Sequence, residues 1–187
     1  GLGVRILPGP HKTHMKKIVY LFIFFVSNLS FSQLILEEIN LPKIINETSG
    51  LEYHDNHLIT FNDSGNDPVL FYLNFKGEII KTRNIQNIKN NDWEDITMDD
   101  EYLYVADMGN NYDTRKNLSI IKISKNQNLD SFEVINFSYP EQKSFNYRKL
   151  SMFDAEGLIS IDDYLLIFTK NRAKKTTDIY KLPKTPG

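Results

Sequence analysis

Carboxylate side chains recur at two kinds of position in this sequence, and their spacing could support metal binding or acid–base chemistry. Some lie at the start of short apolar segments, and others lie in the loops that follow such segments. Carboxylates that converge raise one another's pKa unless a cation intervenes, and hard oxygen ligands of this kind suit Ca²⁺. The candidate catalytic residues are Glu94, Asp95 and Glu156, and the candidate metal ligands are Asp63, Asp107 and Asp154.

Two of the loops share the pattern D-x-G-N-[DN], over residues 63–67 and again over 107–111. This pattern is also ordinary turn chemistry, because glycine supplies a positive φ and Asp or Asn side chains bond to the local backbone. Neither loop has the D-x-[DN]-x-[DN]-G spacing of a helix-loop-helix calcium site. A Ca²⁺ site and a purely structural role therefore both remain open, and Ca²⁺ is the only candidate cofactor.

Residues beside the acidic positions are candidate contacts for a small ligand: Asn110, Asn111, Arg115 and Trp93. Arg115 could bind an anionic group through two parallel hydrogen bonds, or it could form an ion pair with Asp113. Trp93 is the only tryptophan. It could line a pocket, or it could pack in the hydrophobic core.

Residue types exclude several catalytic chemistries. The 187 residues include no cysteine, which excludes disulfides, zinc–thiolate sites and cysteine nucleophiles. The only histidines beyond Gln33 are His54 and His57, and the chain has no G-x-S-x-G segment, so a serine–histidine hydrolase is unsupported. The chain beyond Gln33 holds all 24 acidic residues but only 18 basic ones. With this excess of acid and no obvious basic cluster, it is a poor candidate for binding nucleic acid or a polyphosphate.

The segments that carry these residues form a pattern that occurs three times, beginning at Ser49, Glu94 and Glu156. Each unit has a short apolar segment, an acidic or Asn-rich turn, a second segment of β-branched and aromatic residues, a loop and a third segment. Such compositions favour strands joined by tight hairpins. A fourth strand is predicted over residues 78–85 in the first unit and 132–138 in the second.

Four antiparallel strands in a repeating unit of this length are typical of a β-propeller blade. We therefore predict an all-β protein, a β-propeller with about three four-stranded blades that form part of a roughly six-bladed ring. A β-sandwich and an open meander are the alternatives, but neither explains the repeating loop positions. Because equivalent positions of successive blades surround the central channel of a propeller, the acidic residues are expected at one mouth of that channel.

The N-terminal part has the features of an export signal. A basic start at Lys16 and Lys17 precedes an unbroken apolar run, and small residues then lead to a cleavage site between Ser32 and Gln33. The apolar run is too short to span a membrane as a helix. We predict an extraneous segment over 1–14, a signal peptide over 15–32 and the propeller domain over 33–187. The mature chain is then expected to be secreted or to reside in a bacterial periplasm or outer envelope, with no transmembrane segment.

Several motifs resemble a family of secreted bacterial β-propeller proteins described as phytase-like or esterase-like. They are SGL, NDSGNDP, DWEDI, LYVADMGNN and FDAEGL, and the resemblance covers roughly residues 46–183. It implies a propeller of about six blades, with Ca²⁺ in acidic sites near the channel and phosphoesterase or esterase activity. Three units make about half of such a ring, so we expect either a fragment or the self-association of two copies.

Two functional hypotheses follow. In the first, the propeller binds a small molecule or an envelope ligand with the help of Ca²⁺, and the acidic residues hydrolyse an ester or phosphoester by metal-assisted chemistry. In the second, the protein is a non-catalytic recognition or scaffold module of the cell envelope, and the same residues build turns and the channel wall. The sequence alone leaves open whether the protein is an enzyme.

Overall fold

The computed structural model describes residues 37–126 and 131–185. Within these residues the protein is all-β, with eleven strands in three antiparallel sheets and no helix. The first sheet contains β1 (Thr48–His54), β2 (His57–Asn62), β3 (Val69–Leu73) and β4 (Ile79–Asn84). The second contains β5 (Trp93–Met98), β6 (Tyr102–Asp107), β7 (Leu118–Ser124) and β8 (Phe132–Phe137). The third contains β9 (Ala155–Ile161), β10 (Tyr164–Thr169) and β11 (Ile179–Pro183).

Each sheet is a meander in which sequence neighbours pair, in the orders β1-β2-β3-β4, β5-β6-β7-β8 and β9-β10-β11. The predicted fourth strands are present as β4 and β8. The third sheet differs from the four-stranded expectation, since its described residues form three strands. The Asx turns account for two of the hairpins, because Asp55, Asn56 and Asp162 adopt positive φ angles of 48°, 61° and 45°, a region that Asp and Asn tolerate better than most residues.

The second sheet is buried on both faces because its side chains alternate between two hydrophobic cores. Leu103 and Val105 of β6 pack against the first sheet, while Tyr104 and Ala106 of the same strand pack against the third. This alternation follows from the two-residue period of a strand. It explains why β6 and β7 are apolar almost throughout.

The first strands of the three sheets lie beside one another. β1 lies against β5, and β5 lies against β9. Each first strand is at the edge of its own sheet. Because these edge strands lie next to one another, the loops that lead into β5 and β9 are brought to the same part of the molecule. The arrangement is consistent with blades of a propeller, and the described residues form no closed ring.

The predicted segments 1–14 and 15–32, together with the cleavage site at Ser32–Gln33, lie outside the described residues. Among the described residues, no helix is long and apolar enough to cross a membrane.

Candidate functional site

Strand periodicity decides which acidic side chains at the start of β5 reach the surface. Trp93 points into the core and is 0% exposed. Its neighbours Asp92 and Glu94 therefore lie on the opposite face of the strand, where both are partly exposed. The third sheet has the same acidic spacing at the start of β9, but there the buried Ala155 lies between a buried Asp154 and an exposed Glu156.

Three carboxylates from two sheets form a small group, which we call the acidic cluster: Asp63, Asp92 and Glu94. One oxygen atom of each lies within 4.8 Å of one oxygen atom of the others, and all three side chains are partly buried. Asp63 follows β2 of the first sheet, whereas the other two lie at the start of β5. The cluster therefore exists only when the first and second sheets are packed together, and its oxygen atoms are spaced closely enough to coordinate one metal ion.

Gly109 allows two of these carboxylates to approach the loop after β6. A Cβ atom at this position would lie 2.2 Å from Asp92 Oδ2 and 2.2 Å from Glu94 Oε1. The loop is held in place because the amides of Met108 and Gly109 both donate to the Asp92 carbonyl oxygen, each at 3.2 Å. The absence of a side chain at Gly109 is thus a condition for the geometry of the acidic cluster.

The cluster is electrostatically frustrated without a cation. Burial, followed by the neighbouring carboxylates Asp92 and Glu156, raises the pKa of Glu94 to about 8. Burial also raises the pKa of Asp92, although Arg115 opposes the shift. Carboxylates that are costly to ionise together are stabilised by a bound cation, and oxygen-only ligands are those that Ca²⁺ prefers. The three carboxylates could therefore hold a metal ion.

The acidic pair of the third sheet is already matched with basic side chains. Arg172 donates to Asp154, to Glu156 Oε1 at 3.4 Å and to Asn111 Oδ1 at 3.2 Å. Lys170 Nζ donates to the same Glu156 oxygen at 3.0 Å. Asp154 is fully buried, and burial raises its pKa although hydrogen bonds from Asn110 and Arg172 oppose the shift. This pair therefore borders the acidic cluster as a mixed-charge network.

Asp107 and Arg115 bind to each other. Arg115 Nη2 lies 2.7 Å from Asp107 Oδ1, and its Nη1 donates to the Gly109 carbonyl oxygen at 2.8 Å. Asp107 also accepts hydrogen bonds from Asn91 Nδ2 at 2.6 Å and from the Asp92 amide at 3.1 Å. The first two bonds hold the loop after β6 against the end of that strand, and the last two tie the end of β6 to the residues before β5. The pair thus positions the site, and the Asp107 carboxylate, 2% exposed, does not belong to the acidic cluster.

Three other predicted site residues serve the joints between sheets. Asp95 Oδ2 accepts a hydrogen bond of 2.7 Å from the Leu158 amide and so connects β5 to β9. Asn110 is 1% exposed; its amide donates to Asp154 Oδ1 at 2.7 Å, and its side chain donates to the Phe153 carbonyl oxygen at 3.2 Å. Trp93 packs edge-on against Phe61, with the ring centroids 5.3 Å apart. The Trp93 indole is therefore part of the hydrophobic core, which is one of the two roles that the sequence left open for it.

Sequence reasoning did not select Asp92 as a site residue. The signal was present, because Asp92 and Glu94 flank a tryptophan that has to be buried, and residues 154–156 repeat the same acidic spacing. The expectation of no basic cluster is also corrected. Four cationic side chains fall within residues 170–175, and the structure places this segment next to Glu156.

Comparisons with known proteins give no assignment. No protein-family profile matches the chain, and no curated protein matches it. Among solved structures the chain is similar to the crystal structure of the computationally designed Ika4 protein, with 7% identity and a TM-score of 0.38, over 80% of this chain and 99% of that chain. The case for function therefore rests on the geometry of the site.

Proposed function

We propose that the three sheets are consecutive blades of a β-propeller and that the acidic cluster binds a Ca²⁺ ion, through which the protein holds an anionic small ligand. The observation that carries the proposal is the convergence of Asp63, Asp92 and Glu94, whose oxygen atoms lie within 4.8 Å of one another. We further propose that the mature protein is secreted or resides in a bacterial periplasm or outer envelope.

The propeller assignment is supported by the way the unit repeats. The first strand of every sheet contacts the first strand of the next, and every sheet runs outward from it in chain order. A hydrogen bond joins the first strands at each junction, because Ser49 Oγ donates to the Glu94 carbonyl oxygen at 3.1 Å and the Leu158 amide donates to Asp95. Consecutive blades related in this way place equivalent loops round a common axis.

The cation assignment is supported by the chemistry of the ligands. A bound Ca²⁺ ion would offset most of the negative charge of the acidic cluster and leave coordination positions for an anionic group of the ligand. The protein's own residues supply the rest of the site. Asp107 and Arg115 fix the loop that carries Gly109. Glu156 is more exposed than Asp154 and is the candidate for proton transfer to a bound ester or phosphoester.

Calorimetric titration with CaCl₂, together with thermal unfolding at several Ca²⁺ concentrations, tests the cation site. A ligand that binds only the native state must raise the unfolding temperature. We expect saturable binding and stabilisation by millimolar Ca²⁺, and both should be lost in Asp92→Asn and Glu94→Gln variants. Asp100→Asn is the matched control, because Asp100 is an exposed turn residue outside the cluster. Equal stabilisation of all four proteins would refute the site.

The second candidate function is a non-catalytic recognition or scaffold module of the cell envelope. It is favoured by the structural use of predicted site residues, since Asp95, Asn110 and Arg115 all hold loops or sheets together. Esterase and phosphoesterase assays with and without Ca²⁺ separate the two functions. Activity that is lost in Glu156→Gln while Ca²⁺ binding persists supports the hydrolase, whereas Ca²⁺ binding without activity supports the recognition module.

A further inference from the structure

The third sheet has an apolar face on the side away from the second sheet. Cross-strand pairing places six large side chains on it, and we call them the third-sheet face: Ile159, Ile161, Tyr164, Leu166, Phe168 and Ile179. They alternate along β10 with Leu165 and Ile167, which are buried against the second sheet. Ile179 is 61% exposed and Ile159 is 48% exposed. An exposed apolar patch of this kind marks an interaction surface.

The corresponding side of the first sheet is buried by the next sheet along the chain. Equivalent cross-strand pairs set the correspondence between the first and third sheets: Leu51–Thr60 and Leu158–Ile167. Phe168 of β10 therefore occupies the position of Phe61 in β2, and Leu166 likewise corresponds to Ile59. Those two β2 side chains are 0% exposed because they pack in the core between the first and second sheets. The third-sheet face is thus the counterpart of a surface that a neighbouring sheet covers.

The first sheet also has a mostly apolar side that is directed away from the second sheet. Five side chains share it, and we call them the first-sheet face: Leu51, Leu58, Thr60, Phe71 and Leu73. Ile45 covers part of this face, but Leu51 is 61% exposed. An open cavity of about 420 Å³ lies beside Thr48, Leu51 and Leu58. The first-sheet face therefore has room for side chains that project from another surface.

The junction between the first and second sheets indicates which side chain fits this cavity. There Phe61 packs edge-on against Trp93, with the ring centroids 5.3 Å apart. Trp93 begins β5 and pairs with the last residue of β6, and Thr48 begins β1 and pairs with the last residue of β2. Thr48 therefore has the position of Trp93 but fills much less space. Phe168, the counterpart of Phe61, is suited to occupy the cavity that this smaller residue leaves.

The charges of the two sheets are complementary. Residues 170–177, the loop after β10, contain four Lys or Arg residues and no carboxylate, whereas residues 44–68 contain five carboxylates and no Lys or Arg. At the junction of the first and second sheets, the loop after β2 lies beside the residues before β5, since Asn90 Nδ2 donates to the Asp63 carbonyl oxygen at 2.9 Å. The same arrangement between two copies brings the basic loop of one copy to the exposed Glu47 of the other. Opposite charges placed in this way favour association and fix its orientation.

We propose that two copies of this chain associate head to tail, with the third-sheet face of each copy packed on the first-sheet face of the other. Six sheets then surround one axis, and the same junction occurs twice in a closed dimer. At about 4.8 Å between strands and about 3.3 Å per residue, a face of three six-residue strands covers roughly 300 Å². The two junctions therefore bury roughly 1,200 Å² in total, which is enough for a specific interface. The inference rests on the proposed arrangement of the sheets as blades and not on the proposed Ca²⁺ ion.

Sedimentation velocity of the full chain in EDTA, over a range of protein concentrations, tests the association. We expect a monomer–dimer equilibrium with a dissociation constant in the micromolar range or below. Ile179→Lys and Leu51→Lys should each weaken the association by about tenfold at each junction, and so by about a hundredfold in a dimer with two junctions. Leu150→Lys is the matched control, because Leu150 is 55% exposed in the loop before β9 and belongs to neither face. Circular dichroism should show that all three variants fold, since the replaced side chains are already largely exposed.

Three results would overturn the proposal. A wild-type protein that stays monomeric would leave the two faces to a further sheet or to another protein. A dimer that is weakened by Ile179→Lys and not by Leu51→Lys would show that the third-sheet faces of two copies pack on each other. Equal association of the three variants and the wild type would show that neither face is used.

Two further measurements separate this proposal from the proposed function. Asp92→Asn should leave the dimer in EDTA unchanged, and Ca²⁺ binding by a protein that stays monomeric would overturn the association alone. Small-angle X-ray scattering of the monomeric Ile179→Lys variant tests the packing of the three sheets separately from their association.

Discussion

Gly109→Ala should weaken Ca²⁺ binding at the acidic cluster while leaving the protein folded. The new Cβ atom would lie 2.2 Å from one oxygen atom of Asp92 and from one of Glu94, whereas real Cβ contacts are essentially never shorter than 3.0 Å. Each oxygen atom must therefore move by about 0.8 Å or more. The clashing atoms are the ends of side chains, so we expect a stability loss of only about 1 kcal/mol, at the lower limit for overpacking.

The displacement has a larger effect on cation binding. Calcium–oxygen distances span only 2.3–2.6 Å, so moving two of three protein ligands by about 0.8 Å exceeds the tolerance of the site. We expect the Ca²⁺ affinity to fall by about tenfold to a hundredfold, the range measured when residues that orient metal ligands are changed. The assay is calorimetric titration with CaCl₂, accompanied by the shift in unfolding temperature at saturating Ca²⁺.

Gly157→Ala is the matched control. A Cβ atom there would have its nearest contact at 3.5 Å, with Phe168 Cβ, which is an ordinary van der Waals distance. This variant should bind Ca²⁺ with wild-type affinity. The reasoning would be refuted if Gly109→Ala also bound Ca²⁺ with wild-type affinity, or if both alanine variants lost binding equally.

Three further predictions concern stability. Burial and then the adjacent carboxylates raise the pKa of Glu94 to about 8 from an unfolded value of 4.5. Between these pH values the folded state in EDTA binds more protons than the unfolded state, so the free energy of unfolding should fall as the pH rises through this window. Urea unfolding at pH 5 and pH 8 should show this fall in the wild type and not in Glu94→Gln. Burial opposes the ionised form of Asp99, but hydrogen bonds from Lys184 and from neighbouring groups hold the pKa of this carboxyl well below its usual range. The ionised carboxylate therefore stabilises the fold above about pH 4, and this stabilisation should be lost as the pH falls further. Thermal unfolding at low pH should depend less on pH in Lys184→Met than in the wild type, and an equal pH dependence in the two proteins would contradict this account. Trp93→Ala should lower the free energy of unfolding by roughly 3–5 kcal/mol, because it opens a cavity in the core. Urea unfolding followed by circular dichroism measures this change. A decrease of less than about 1 kcal/mol would show that the indole is not a main element of that core.

The sequence predicts the strands and hairpins well because the forces behind them are local. The alternation of side chains along β6 and the positive φ angles of Asp55 and Asp162 are both set within a few residues. The repeat also carries the prediction of three similar sheets. The contacts of β1 with β5 and of β5 with β9 include hydrogen bonds, such as the one from the Leu158 amide to Asp95.

The roles of the polar residues could not be read from the same pattern. Asp95 and Asp107 resemble Glu94 in type and in position near the end of a strand, yet their roles differ. Asp95 accepts a hydrogen bond from the Leu158 amide of the next sheet, whereas Asp107 forms an ion pair with Arg115. Which role each carboxylate takes depends on partners that are distant in the chain. Leu158 follows Asp95 by 63 residues, and no local signal specifies such a pairing.

The sequence by itself determined the strand pattern, the repeat and the supply of carboxylates at the starts of strands, because side-chain periodicity and turn chemistry are properties of neighbouring residues. Only the tertiary structure decided that Asp63 of one sheet meets Asp92 and Glu94 of the next. It also decided that Gly109 leaves room for their oxygen atoms and that Lys170 and Arg172 lie beside Glu156. The physical reason is that these charges and contacts come together only when separate sheets and loops are packed against one another.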